Sequence, residues 1–304
     1  MKYIISGYIG FDNFGDEAIA HVLTQKLKQN GAEKITLISS NHSRTSKLHD
    51  TDSCGMFKFL PVLIDSDVLI SGGGSLLQDV TSLKSLLYYL GVIFTALIFG
   101  KKVEIFAQGI GPINSKFGQM LTKFLLKRVN KITVRDIESQ NLLMTWGIKS
   151  ELVNDPILDL DLPQKNLKGI VGIQLRSFPS LTQDFVEKLA VKVAEKFRDK
   201  KIEVISLQDS ADLEVCRRFT EKLIQSGFTN VELKSNLTIQ DSIDTISNLE
   251  YLIAMRFHAN IIGIKSGVKT IAINYDPKVK TLAQRFNLPL IELDEREFSM
   301  LGDI

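Results

Sequence analysis

Val68-Leu-Ile-Ser71 runs straight into Gly72-Gly73-Gly74-Ser75, and the uncharged, strongly apolar stretch 85–99 follows soon after. A short apolar run stopped by glycines reads as a buried strand ending in a turn, and the longer stretch behind it reads as a helix. The same order recurs along the chain. Strands are expected at Lys2–Ser6, Lys34–Ser39, Val68–Ser71, Val103–Ala107 and Ile132–Arg135, then at Ile170–Leu175, Glu203–Ser206, Val231–Leu233, Tyr251–Ala254 and Thr270–Ile273. Helical patterns fill the gaps: Asp16–Asn30, Ser85–Phe99, Lys116–Lys127, Ile137–Thr145, Gln183–Asp199, Leu213–Ser226, Ile239–Ser247, Phe257–Lys265 and Lys278–Phe286. Such alternation predicts an α/β protein with parallel sheets covered by helices on both faces.

At 304 residues the chain exceeds the ~250–300 at which one core stops growing. Two domains are expected, 1–160 and 161–304, joined through Asn154-Asp155-Pro156 and on to Gly169, a stretch with two prolines, several acids and weak periodicity. Lys plus Arg against Asp plus Glu is 17 to 15 in the first part and 20 to 20 in the second, which rules out a basic nucleic-acid platform. Cys54 and Cys216, with four histidines, make neither a disulfide framework nor a Cys/His zinc cluster. The start, Met1-Lys2-Tyr3-Ile4-Ile5-Ser6-Gly7, is too short an apolar run for a signal peptide and reads as the first strand of a cytoplasmic protein. Residues 85–100 carry no charge but fall short of the ~20 needed to cross hydrocarbon, so a helix buried on several sides is expected. A peripheral membrane contact, at the inner face of the membrane, is the second reading, since Lys84, Lys101, Lys102, Lys116, Lys123, Lys127, Arg128 and Lys131 cluster around it in sequence.

In open α/β sheets ligands sit beyond the carboxyl ends of the strands, so the residues just after strands carry the functional reading. After the first strand, Gly7-Tyr8-Ile9-Gly10-Phe11-Asp12-Asn13-Phe14-Gly15-Asp16 lacks the dinucleotide glycine spacing, and Ser39-Ser40 after the second strand offers no acid to a ribose. The turn is either a plain entry to a helix capped by Asp16 or a set of free amides for an anion or sugar hydroxyl. Gly72, Gly73, Gly74 and Ser75 form a possible anion nest, and no Gly-Lys-Ser or Gly-Lys-Thr of a nucleotide loop occurs. Asp65 and Asp67 precede their strand and read as a solvated turn. Arg135, Arg176 and Gln208-Asp209 also end strands, and a guanidinium there can grip carboxylate or phosphate. In Tyr251-Leu-Ile-Ala-Met-Arg256-Phe257-His258-Ala259-Asn260, an extended backbone would set Arg256 and His258 on one side. His258 is the good general acid or base, because His21, His42 and His49 lie in a helix or polar loop without such a setting. Asp276 before Pro277 reads equally as a helix cap or a binding group.

Taken in order, Gly7-Tyr-x-Gly with Asn13-x-Gly-Asp-Glu-Ala18, Ser71-Gly-Gly-Gly-Ser75, Gln108-Gly-Ile-Gly-Pro112, Val134-Arg-Asp136, Asp155-Pro156, Gly172-x-x-Leu-Arg176, Met255-Arg-Phe-His258 and Tyr275-Asp-Pro-Lys278 resemble the polysaccharide pyruvyl transferase family. The resemblance implies two Rossmann-like domains in a GT-B-like arrangement with the site in the interdomain cleft. It implies transfer of an enolpyruvyl unit from phosphoenolpyruvate to two hydroxyls of one sugar, giving a cyclic ketal in a cell-surface polysaccharide or its precursor. The acceptor is a sugar or a lipid-linked saccharide. On that basis Arg135, Arg256 and, third, Arg176 would bind the donor's anionic groups, and His258 would protonate the methylene carbon. Asp276 or Asp209 would offset the effect of a neighbouring arginine on His258. Gly10, Asn13, Gly15, Asp16, Gly72, Gly73, Gly74, Ser75, Gln108, Tyr275 and Asp276 would line the substrate site, with no metal and no cofactor. Two alternatives share the scaffold: a nucleotide-sugar glycosyltransferase and a noncatalytic sugar- or anion-binding protein.

Overall fold

The computed structural model describes residues 1–160, 162, 169–294, 298 and 301. The chain divides into two compact units, Met1–Leu160 and Asp161–Ile304. Part of the expected linker, residues 161 and 163–168, lies outside the described residues. Its beginning is not a solvated tether. Asp155 is buried, and Pro156–Asp159 forms a short 3-10 turn packed on the first helix.

The first unit holds strands β1 (Lys2–Ser6), β2 (Lys34–Ile38), β3 (Asp52–Cys54), β4 (Val68–Gly72), β5 (Lys102–Gln108), β6 (Lys131–Val134) and β7 (Glu151–Leu152). They pair in the order β3-β2-β1-β4-β5-β6-β7, every pair parallel. Helices α1 (Phe14–Gln29), α2 (His42–His49), α3 (Phe59–Asp65), α4 (Leu83–Ile98), α5 (Lys116–Leu126) and α6 (Ile137–Thr145) connect them. One side of the sheet packs Ile5, Leu37 and Ile70 against Ala20 and Leu23 of α1. The other packs Leu69, Val103 and Ile105 against Leu63 of α3, Leu90 and Ile93 of α4, and Leu125 of α5. Side chains buried this fully contribute roughly 1.5–3 kcal/mol each.

The second unit repeats the plan. Strands β8 (Ile170–Gln174), β9 (Lys201–Ile205), β10 (Val231–Lys234), β11 (Tyr251–Ala254), β12 (Lys269–Asn274) and β13 (Leu290–Glu292) lie in the order β10-β9-β8-β11-β12-β13. All are parallel. Helices α7 (Gln183–Lys196), α8 (Asp209–Gln225), α9 (Ile239–Ser247), α10 (Phe257–Ser266) and α11 (Pro277–Phe286) cover them. Both sheets carry the doubly wound order 3-2-1-4-5-6, which reverses direction beside the first strand and opens a crevice there. In the first unit that point lies between β1 and β4, and in the second between β8 and β11.

The ten strands expected from apolar runs are all present. The short strands β3, β7 and β13 and the helices α2 and α3 were not expected. Their residues are too few or too polar for periodicity to register, as in His42-Ser-Arg-Thr-Ser-Lys-Leu-His49 of α2. Helix α4, uncharged after Lys84, is not covered on several sides. Leu86, Tyr89, Leu90, Val92, Ile93 and Ala96 are buried, whereas Tyr88, Phe94 and Ile98 are exposed.

Candidate functional site

In the second unit the crevice is built by residues following three adjacent strands: Leu175-Arg176 after β8, Met255-Arg256 after β11, and Tyr275-Asp276 after β12. Gln174, fully buried at the end of β8, accepts from the Arg256 backbone N–H at 2.8 Å. Its Nε2 donates to Asp212 at 3.2 Å. Asp212, fully buried in the first turn of α8, accepts from Arg256 Nε and Nη2, both at 2.6 Å, and from the backbone N–H groups of Leu207 and Gln208, both at 3.1 Å. Arg256 Nη2 also donates to Gln208 Oε1 at 2.9 Å.

Arg256, expected to grip an anionic donor, therefore turns inward and commits its charge to Asp212. Burial explains the arrangement, since an arginine 6% exposed needs a carboxylate beside it. The acids expected to balance it do other work: Asp209 accepts from Ser206 Oγ and the Asn236 N–H, and Asp276 caps α11 through the Lys278 N–H. Asp212 was missed in the sequence. Its spacing, four after Gln208 on a new helix, was the available signal.

The backbone remains extended at Arg256 (φ −66°, ψ 131°), and the helix starts at Phe257. The chain thus changes period between Arg256 and His258, so the extended backbone on which the expected same-side placement depended ends at Arg256. His258 stands in the first turn of α10, partly buried, edge-on to the Phe257 ring with centroids 5.2 Å apart. Asn260 steadies the junction from inside, its Nδ2 donating to the carbonyls of Ala254 at 3.2 Å and Arg256 at 2.9 Å.

Arg176 differs from Arg256. Among the described residues no carboxylate pairs with it. Its Nη1 lies 3.4 Å from the Tyr275 hydroxyl, its guanidinium 5.5 Å from the Tyr275 ring centre, and its buried Nε has no hydrogen-bond partner. Tyr275 is itself held edge-on by Phe178 at 5.0 Å. A partly buried cation with an unsatisfied donor, braced by an aromatic face, is fitted to receive a carboxylate or phosphate.

The corresponding turns of the first unit are built on glycines. Asn13 caps α1 by accepting from the Gly15 N–H at 3.2 Å, so the expected cap, Asp16, lies one turn inside. A Cβ on Gly74 would stand 2.5 Å from Asp16 Oδ1, and one on Gly73 only 2.1 Å from Ile19 Cγ2. Both glycines have positive φ, +57° at Gly73 and +70° at Gly74, so α1 packs directly on a loop that other residues cannot form. Gly10 donates its N–H to the buried Glu17 Oε1 at 2.7 Å. The other Glu17 oxygen meets His49 Nε2 at 2.9 Å, which corrects the reading of His49 as a polar-loop residue. Arg135 also turns inward, Nη1 to Asp155 at 2.7 Å and Nη2 to Ser75 Oγ at 3.1 Å. Gln108, expected in the substrate site, is fully buried and donates to Ser71 Oγ at 2.8 Å.

Neither cysteine is poised for chemistry. Burial raises both thiols, Cys216 up to about 12. Among the described residues no three His, Cys, Asp or Glu side chains converge as metal ligands. Asp65 ends α3 and Asp67 directly precedes β4, Asp65 pairing with Lys2 at 2.8 Å and Asp67 accepting from the Lys2 N–H at 2.8 Å.

Two doubly wound parallel sheets with crevices at their switch points define a GT-B-like protein of two Rossmann-like domains, the fold of sugar-nucleotide glycosyltransferases and epimerases. Over the whole chain the fold is similar to S. aureus MnaA solved with UDP (TM-score 0.70, 10% identity, 100% of this chain and 87% of that one). It is also similar to Anabaena HepE solved with UDP and glucose (0.62, 11%, 100% and 89%) and to a glycosyltransferase from Rickettsia africae (0.63, 15%, 99% and 86%). A search of curated proteins gives no match. The family model of polysaccharide pyruvyl transferase matches residues 13–277, and the chain belongs to that family. It is accordingly a transferase acting on polysaccharide.

Proposed function

We propose that the protein transfers a pyruvyl group from phosphoenolpyruvate to two hydroxyls of one sugar, forming a cyclic ketal. Family membership supports the reaction class, and the observation that carries the donor assignment is Arg176, a braced cation with an unpartnered buried Nε at the switch point of the second sheet. Arg176 holds the donor's carboxylate or phosphate, and bidentate contact fixes its orientation. His258 delivers a proton to the methylene carbon as the first sugar hydroxyl adds to the neighbouring carbon. The first hydroxyl's proton returns to His258, phosphate leaves with the electrons of its C–O bond, and the second hydroxyl attacks the same carbon to close the ketal as its proton passes to the phosphate. The sequence is redox-neutral and calls on no cofactor or metal. Arg256 acts as a positioning residue: paired with Asp212, it fixes the turn that presents His258 without adding net charge beside the imidazole. The acceptor sugar lies along the turns at Gly72–Ser75 and Gly10–Gly15, where the amides of Gly10, Gly15 and Gly73 are already committed to Glu17, Asn13 and Phe106 and serve to fix the shape of the turns.

A nucleotide-sugar transferase is the second reading, favoured by similar structures solved with UDP. Calorimetric titration separates them. Phosphoenolpyruvate should bind the wild type and lose at least about tenfold in affinity in Arg176→Met, the scale of one charge-assisted contact. Binding of UDP-glucose with none of phosphoenolpyruvate would transfer the assignment to the second reading.

A further inference from the structure

Helices α3, α4 and α5 pack on one side of the first sheet, and their outward stripes are apolar. On α4 the exposed positions Tyr88, Phe94 and Ile98, continued by Phe99, recur at helical spacing. On α5 they are Phe117, Met120 and Phe124, and before and along α3 they are Met56, Phe57, Leu60 and Ile64. Phe57 is wholly exposed, at 106%. These stripes belong to one surface: Tyr88 reaches Met56 at 3.5 Å, and Gly118 of α5 sits against Leu86 of α4, where a Cβ would come within 2.9 Å.

The charge on this surface is nearly all of one sign, the acid on its three helices being Asp65 at the end of α3, which pairs with Lys2. Residues 56–64, 83–101 and 115–131 contain no acid at all. Lys58, Lys84, Lys116, Lys123 and Lys127 stand there with no ion pair among the described residues, while the second unit's Lys188, Lys200 and Lys201 each meet a carboxylate. Arg128 lies over the Phe124 ring at 3.6 Å and donates from Nη1 to the Phe124 carbonyl, which sets its charge beside the aromatic row. Aromatic and aliphatic side chains set among unpaired lysines match the boundary between acyl chains and anionic headgroups. A second copy of the chain would bring like charges together across the same apolar face. No helix among the described residues is long and apolar enough to cross a membrane.

We infer that the α3–α4–α5 face docks the protein on a bilayer surface carrying anionic lipid. Co-sedimentation of the full chain with vesicles tests this without any substrate, so its outcome is independent of the proposed reaction. Vesicles of phosphatidylcholine with phosphatidylglycerol should sediment the protein, vesicles of phosphatidylcholine alone should do so at least about tenfold less, and added salt should release it. The triple variant Phe57→Ser/Phe94→Ser/Phe124→Ser and the charge variant Lys84→Glu/Lys123→Glu/Lys127→Glu should each lose binding at least about tenfold while melting as the wild type does, because the altered side chains point outward. Absence of binding to anionic vesicles, equal binding to neutral ones, or a stable dimer that both variants dissociate in the absence of vesicle binding would each overturn the inference.

Discussion

The crevice of the first unit and that of the second occupy the same place in the same strand order, yet they are furnished differently. Between β1 and β4 the chain turns on glycines that let α1 pack closely, and its arginine, Arg135, is paired with Asp155. Between β8 and β11 it supplies side chains: a locked Arg256–Asp212 pair, the braced Arg176 and His258. One crevice is bordered by glycine turns packed closely on α1, and the other by an arginine with no carboxylate beside it among the described residues and a histidine at a helix start. The topology fixes where a ligand goes, and the residues added after each strand decide which ligand.

The largest effect that tests this contrast is loss of the second unit's buried pair. Asp212→Ala should cost about 3–5 kcal/mol, since it strands a buried guanidinium, whereas Asp212→Asn should cost less. Denaturant unfolding checks the order, and equal costs would mean that the charge of Asp212 does not matter. Next comes His258→Ala, expected to lower turnover by ~10²–10⁴-fold with little change in melting temperature, as measured by phosphate release with a sugar acceptor. Full activity in that variant would remove His258 from the chemistry.

The first unit should answer to backbone changes instead. Gly73→Ala puts a methyl group against Ile19 at positive φ, and about 1–3 kcal/mol of destabilisation is expected in thermal or denaturant melts. A neutral outcome would show that α1 can move off the loop.

The smallest effect concerns acid. Burial, with His49 and Lys28 adding to it, holds the His21 imidazole below its ordinary value of 6.5. The unfolded chain therefore takes up the proton first, and the stability present above about pH 6.5 drains away as pH falls toward the folded-state value. Hydrogen exchange at about pH 5 should loosen the first unit around α1 before the second. His21→Asn should reduce that acid sensitivity, and an unchanged pH profile would place its cause elsewhere.

Much of the fold was legible because buried strands of a parallel sheet are continuous apolar runs. Tyr251-Leu-Ile-Ala254 and Lys2-Tyr-Ile-Ile-Ser6 appear in the structure with the boundaries read from sequence. The junctions were legible for the same reason, since chemistry in such sheets follows the strands. What stayed hidden were the partners. Asp155 looked like part of a linker and is the buried mate of Arg135, and His49 looked like a loop histidine and is the mate of Glu17, thirty-two positions away. No local pattern records a contact across that separation.

The sequence by itself determined the alternation of strands and helices, the glycine turns and the placing of Arg176, Arg256 and His258 at carboxyl ends, because these follow from periodicity and from what short apolar runs must do in water. Only the tertiary structure decided which cation is left without a carboxylate among the described residues. Three arginines look alike in the sequence, but burial forces Arg135 and Arg256 onto carboxylates, while Arg176 is left with an aromatic brace and an unsatisfied donor. Tertiary packing also left the apolar side of α4 uncovered, since a helix exposes whatever its neighbours do not reach, and no single stretch of chain says which neighbours those will be.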